Sequence, residues 1–383
     1  MLTESAPHYR QPLLKTPFHD RARALCQVDS FIPWAGYTTV DVFTTVEQEY
    51  FAIRNGTSVY DLTPMVKYRI AGRDAARYLN RLVTRDIGKL KPGKVAYCVW
   101  CNDSGHLIDD GTVFCLSETE YRLCTGERQL DWLLDSGVGF DVEITEVTEE
   151  IAALSMQGPT SCAVLRSFGL AGIERLKPFE LAYFALPAAL SGEAPIMVSR
   201  TGFTGDLGYE IWVRPEYQRA LYDLLLKQGA AFGLTQFGMR ALLCMRLEKS
   251  FGTWFREYRP IYGPYEAGLG RFVDLKKNDF IGREAAVHEK ESGGKLRLQC
   301  FTVDALDADA IGDEPIWHDG KVVGWVTSGG YGHSVGKSLA LGYIAKESAG
   351  ANEGFEIEII GERRPAARLD APIFDPQGLR MRG

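Results

Sequence analysis

Two glycine-bounded stretches far apart in the chain, Lys94–Phe114 (KVAYCVWCNDSGHLIDDGTVF) and Ser199–Val213 (SRTGFTGDLGYEIWV), each set a carboxylate inside an apolar strand pattern. Asp109 and Asp110 follow His-Leu-Ile, and Glu210 precedes Ile-Trp-Val. An ionised side chain in such a run is costly unless a partner or ligand uses it. The fold must therefore supply two strands on which an enclosed acid is useful. A polar ligand carrying several nitrogens would meet that need.

The 383 residues exceed what one hydrophobic core usually serves, so two or three domains are expected. The net charge of −7 and the absence of any basic run argue against a nucleic-acid partner. No stretch approaches twenty apolar residues, so no membrane span is expected. The N-terminal MLTESAPHYRQPLLKTP is polar and lacks a secretory apolar segment. With no such signal, eight cysteines read as reduced thiols of a cytoplasmic protein.

Periodicity divides the chain into an α+β part over residues 1–145, a second α+β part over 146–290 and a β part over 291–383. In the first, Val46–Asn55 and Ala75–Thr84 have helical spacing, Ser58–Ile70 reads as strands broken at Pro64, and Lys94–Leu116 reads as a hairpin turning at Asn102-Asp103-Ser104-Gly105. The second repeats the mixture. A strand IAALSMQG is followed by a helix from Pro159, and the hairpin-like SRTGFTGDLGYEIWV by helices over Tyr217–Phe232 and Met239–Glu248. From about Leu296 the pattern is all-β, with Asp319-Gly320 as a hairpin turn, predicting a barrel or sandwich.

Several motifs fall short of a function. Val335-Gly336-Lys337-Ser338 ends like a phosphate loop, but Tyr331 stands where its first glycine should be. No G-x-G-x-x-G opens a βαβ unit, no G-x-S-x-G elbow occurs, and the six histidines are scattered. Cys98 and Cys101 form the one C-x-x-C, without the second pair that zinc would need. No metal is expected.

Six segments in order carry a resemblance over nearly the whole chain: Phe31–Met65, GKVAYCVWCNDSGHLIDD, Gln157-Gly158-Pro159, SRTGFTGDLGYEIWV, Arg246-Leu247-Glu248-Lys249 and PYEAGLG at Pro264–Gly270. The chain resembles the aminomethyltransferase family of the glycine cleavage T-protein. Ser199–Ala285 is especially similar to the folate-binding C-terminal halves of dimethylglycine and sarcosine dehydrogenases. The resemblance implies a three-domain cloverleaf around tetrahydrofolate, with the first domain split in space, and transfer of a one-carbon unit to that cofactor. It places the catalytic aspartate at Asp110, a folate-contacting tyrosine at Tyr97 and the pterin-binding glutamate at Glu210. Tyr183, Met65 and Arg246 fall at further cofactor positions.

The sequence also departs from the T-protein pattern. Phe203 replaces the usual tyrosine of R-T-G-Y-T-G, Leu242 stands where an arginine is usual, and Thr63-Pro64-Met65-Val66 replaces S-H-M-G. Arg240 lies nearby but about 200° around the helix. These changes bear on the glycine-cleavage role more than on folate binding.

The expected donor is a methylated small molecule, best an N-methyl amine, with O- or S-demethylation and glycine cleavage as alternatives. No flavin domain precedes the module in this sequence, so a partner oxidase or carrier protein would have to deliver an oxidised unit. The loop Trp254–Tyr265 reads equally as a donor-binding wall, through Arg256 or Arg259, and as interdomain packing. A non-catalytic folate-binding maintenance protein is a further alternative, but its K-G-C-Y-x-G-Q-E signature is absent.

Overall fold

The computed structural model describes residues 12–185 and 195–383. The first expected hairpin forms as Val95–Cys101 and Leu107–Cys115, paired antiparallel. These strands open a five-stranded sheet, continued by Glu120–Thr125, Val66–Ala71 and Glu143–Glu146. Side chains alternate along a strand, so register assigns each residue to a face. One face carries Tyr68, Ile70, Cys98, Trp100, Val113 and Leu123 against the helix Ala75–Leu82, whose Tyr78, Leu79 and Leu82 are buried. The opposite face carries Tyr97, Asp110, Thr112, Phe114, Arg122, Cys124 and Lys67. Gly111 is required between the two acids' strand and its neighbour, because a Cβ there would stand 2.2 Å from the Cys124 carbonyl oxygen.

A six-stranded sheet runs Leu181–Phe184, Ile196–Ser199, Gly208–Val213, Ala152–Gln157, Ser58–Asp61 and Thr235–Gln236. Its outer face, with Leu154, Met156, Val198, Tyr209 and Ile211, packs on the helices Ser161–Ser167 and Gln218–Gly229. Its inner face carries Leu181, Met197, Ser199, Glu210, Trp212, Ala153 and Ser155. Ser58–Asp61 belongs to this sheet although it precedes the first, so the sheets do not follow the chain divisions at 145 and 290. The Gln157-Gly158-Pro159 step also acquires a cause: the buried Gln157 amide donates to Ser155 Oγ (2.9 Å), and a Cβ at Gly208 would stand 1.9 Å from its Oε1.

The C-terminal part is a closed six-stranded barrel, Leu296–Val303, Lys337–Ala345, Lys321–Gly332, Pro315–His318, Phe355–Ile359 and Glu362–Leu369. Asp319 and Gly320 both have positive φ (50° and 73°), as the two-residue hairpin turn demands. Two features were not read from sequence. Leu14–Lys15, Ser30–Trp34 and Tyr37–Val42 form a small third sheet. The segment after the barrel returns to the second sheet, where Arg380 meets Asp206 and Lys249 meets Asp375. Among the described residues no helix is long and apolar enough to cross a membrane.

Candidate active site

The inner faces of the two sheets meet. Phe114 of the first packs edge-on to Trp212 of the second at 5.3 Å between ring centroids, within a cluster that includes Leu62, Val95, Ala153, Leu181 and Met197. Asp110 and Glu210 both stand on these facing surfaces.

Asp109 lies opposite Trp100 and Asp110 opposite Val99, which sends the two acids to opposite faces. Asp109 is fully buried; its Oδ1 accepts the Asp110 N–H (2.7 Å) and its Oδ2 has no partner. Burial, then the neighbouring Asp110 charge, pushes it well above the usual carboxylate range. Asp110 is half-buried, and the Tyr97 hydroxyl donates to its Oδ2 at 2.8 Å. Loss of water raises Asp110 to about 6; the Tyr97 bond opposes that shift and the Glu257 charge adds to it. Burial and the Asp110 charge raise Tyr97 well above its usual value, so the phenol remains a donor. Its ring is fixed against Phe272 at 4.7 Å.

Glu210 is 8% exposed and has two hydroxyl donors, Ser199 Oγ at 3.3 Å and Thr201 Oγ1 at 2.5 Å, both on Oε2. No ion pair offsets its charge among the described residues, and burial raises it to about 7. With Oε2 taken by the two hydroxyls, Oε1 is left free to accept N–H donors of a ligand.

The other expected positions divide. Met65 is half-buried beside the cluster between the sheets, with its carbonyl accepting from Lys67 Nζ at 2.7 Å. Tyr183 shares the inner face of the second sheet but is 53% exposed, on the edge strand. Arg246, expected at the cofactor, is instead only 2% exposed, with Nη1 donating to Glu257 Oε2 (2.9 Å) and to the Phe251 carbonyl (3.0 Å). Its guanidinium is the counter-ion of a loop carboxylate.

From sequence alone that loop reads equally as a donor wall and as interdomain packing. Glu257 is fully buried and also accepts from Thr327 of the barrel (2.8 Å), from Ser328 and from the Thr253 N–H (2.8 Å), so the loop does pack between domains. It also furnishes the site: Trp254 donates to the Ile108 carbonyl, two residues from Asp110, and burial, then the Asp110 charge, pushes the buried Tyr258 phenol well above its usual value. Arg256 and Arg259 are exposed. The aromatic content of the loop was visible in sequence; which aromatic reaches Asp110 depends on a fold between distant segments. Phe203, the departure from tyrosine, stacks on Phe251 at 5.6 Å, and Arg240 pairs with Asp41 at 2.7 Å. Cys98 and Cys101 are buried in different clusters, and no group of three or more potential metal ligands occurs among the described residues.

This combination of two facing α/β sheets and a C-terminal barrel defines a known class. The GCVT N-terminal domain model matches residues 19–277, and the glycine cleavage T-protein C-terminal barrel domain model matches residues 297–375. The chain belongs to the glycine cleavage T-protein, or aminomethyltransferase, family. It is 30% identical to the aminomethyltransferase of Clostridium botulinum (strain Loch Maree / Type A3) over 348 residues, 90% of this chain and 93% of the relative. It is 34% identical to human mitochondrial dimethylglycine dehydrogenase over 347 residues, 89% of this chain but 40% of the relative. The chain thus spans about two fifths of the dehydrogenases it matches. In fold it is similar to the crystal structure of glycine cleavage system aminomethyltransferase T from Bartonella henselae, with a TM-score of 0.85 at 22% identity, covering 95% of this chain and 99% of that one.

Proposed function

We propose that this protein is a tetrahydrofolate-dependent one-carbon transferase that takes its unit from a methylated small-molecule donor, best an N-methyl amine. The observation that carries the reading is the pair of enclosed carboxylates on facing sheets, Asp110 hydrogen-bonded to Tyr97 and Glu210 buried with no ion-pair partner among the described residues. The donor set fits the cofactor. Glu210 Oε1 would hold the paired N–H donors of the pterin edge, Ser199 and Thr201 would fix the carboxylate, and Met65 and Trp212 would supply apolar wall. Tetrahydrofolate, when bound, supplies ring amines that take up the one-carbon unit.

The chain's own part is proton handling. With Tyr97 engaging Oδ2, Asp110 Oδ1 is the atom that accepts or returns a proton. A carboxyl near 6 is ionised at pH 7–8 yet close enough to neutral to do both. Phe114 and Trp212, both buried, would supply the apolar contact between the sheets beside the acids. All eight cysteines are free thiols, which suits a reducing cytoplasm. An oxidised unit would come from a partner oxidase or carrier; a methyl group would come from the donor itself.

A panel of N-, O- and S-methyl donors incubated with tetrahydrofolate tests the reading. Formation of 5-methyl- or 5,10-methylene-tetrahydrofolate from a donor supports it and names the unit transferred; a panel with no product, even with formaldehyde supplied, contradicts it. Within that assay Glu210→Gln should raise the folate KM by the equivalent of about 1–3 kcal/mol, because the amide turns one acceptor into a donor facing donors. If the contact is equally strong in ground and transition states, kcat changes little. A fall in kcat at saturating folate with KM unchanged would place Glu210 at the reacting atoms instead.

A further inference from the structure

Arg122 lies on Glu120–Thr125, on the face that looks across to Glu210, and its guanidinium carbon sits 5.5 Å from the Trp212 ring centroid. Trp212 in turn donates to Ser199 Oγ (3.1 Å), the hydroxyl that bonds Glu210. Arg122 Nη1 is buried and has no hydrogen-bond partner. Of the acids on the same sheet, Glu120 and Glu143 pair with Arg69 and Glu146 with Arg128, Asp109 faces the other side, and Asp110 accepts from Tyr97. Lys67, the next cation on this face, is satisfied by the Thr63 and Met65 carbonyls, both at 2.7 Å. Among the described residues Arg122 is therefore a cation between the two sheets with no anion to meet it.

A guanidinium is rarely left so, because an unpaired buried N–H is costly and the loss of water disfavours the charge. Its flat surface stacks on an indole while its edge presents paired donors in the spacing of a carboxylate. Burial already lowers its proton affinity, with only the nearby thiol, phenol and Glu120 acting against that shift.

We propose that Arg122 is the carboxylate-binding residue of the transfer site, receiving the planar anionic group of a ligand that lies along Trp212 between the sheets. The proposal rests on the functional reading above only in taking that space as the ligand's. Two ligands carry such a group: the glutamyl tail of a folate and an amino-acid methyl donor.

Calorimetry with p-aminobenzoylglutamate and with N,N-dimethylglycine, each beside its uncharged amide, separates them. The wild type should prefer one carboxylate over its amide by about tenfold or more, the worth of a charge-assisted bond. Arg122→Leu should lose that preference, and Arg122→Lys should keep part of it, since an ammonium lacks the fork. Arg122 as a whole is half-buried and only its Nη1 is enclosed without a partner, so an arginine-to-leucine change removes a burden and this variant should fold; if it does not, Arg122→Lys decides. Equal binding of acid and amide by the wild type, absence of binding by both carboxylates, or full preference retained in both variants overturns the proposal. Failure of the folate reading is separate: it appears as no binding of tetrahydrofolate itself, whatever the fragments do.

Discussion

Asp110→Asn is expected to lower kcat by about 10²-fold or more, the usual worth of a positioned acid–base group. The substitution keeps the shape and a group able to meet the Tyr97 hydroxyl, but removes the proton acceptor. It should not cost folding. Asp110 has a folded pKa near 6 against about 4 for an unfolded aspartate, so its burial penalty is absent where both states are protonated, below about 4. The penalty grows as pH rises from there and is complete above about 6. The Asn variant should therefore match the wild type in acid and exceed it in stability at pH 8, while being nearly inactive. In the wild type, kcat/KM should fall on the acid side with an apparent pKa near 6, a value that belongs to the Asp109–Asp110 pair. Steady-state kinetics and urea unfolding at both pH values check these points. If Asp109→Asn is the inactive variant and Asp110→Asn turns over normally, the catalytic role lies on the other face of the strand.

Arg246→Met should be the most destabilising of the changes considered, by about 3–5 kcal/mol, because it leaves Glu257 as an unpaired charge in the interior. The pair is almost wholly buried, at 2% and 0% side-chain exposure, and Glu257 joins the loop 251–270 to Thr327 and Ser328 of the barrel. The double variant Arg246→Met/Glu257→Gln should regain much of the loss, since glutamine keeps an acceptor for the Thr253 N–H without the charge. Urea unfolding midpoints of the two variants make the comparison. A single variant as stable as the wild type would mean that Glu257 is content without its arginine, and that Arg246 is available to a ligand after all.

The elements that local pattern determines were legible in the sequence. Helices over Val46–Asn55 and Met239–Glu248, the strand Leu296–Val303 and the Asp319-Gly320 turn fall where periodicity and turn chemistry put them. Alternation alone also separates Asp109 from Asp110, although choosing between them needed the resemblance. What stayed hidden is long-range. Ser58–Asp61 crosses to the second sheet because Ala152–Gln157 pairs with it, a partnership no local pattern records. Arg246 matched a family position, yet its partner Glu257 is fixed by the path of an irregular loop. Arg122 carried no signal in sequence, where an arginine in an alternating strand reads as a solvent-facing residue; only the facing Trp212 makes it otherwise.

The central claim is that the space between the sheets is a folate site in which Glu210 binds and Asp110 reacts. Calorimetric titration of tetrahydrofolate into the wild type, Glu210→Gln and Asp110→Asn tests it most directly. Saturable one-to-one binding is expected for the wild type, weaker by about 1–3 kcal/mol in Glu210→Gln and near wild-type in Asp110→Asn. No heat of binding in the wild type, or equal affinity in the wild type and Glu210→Gln, would contradict it.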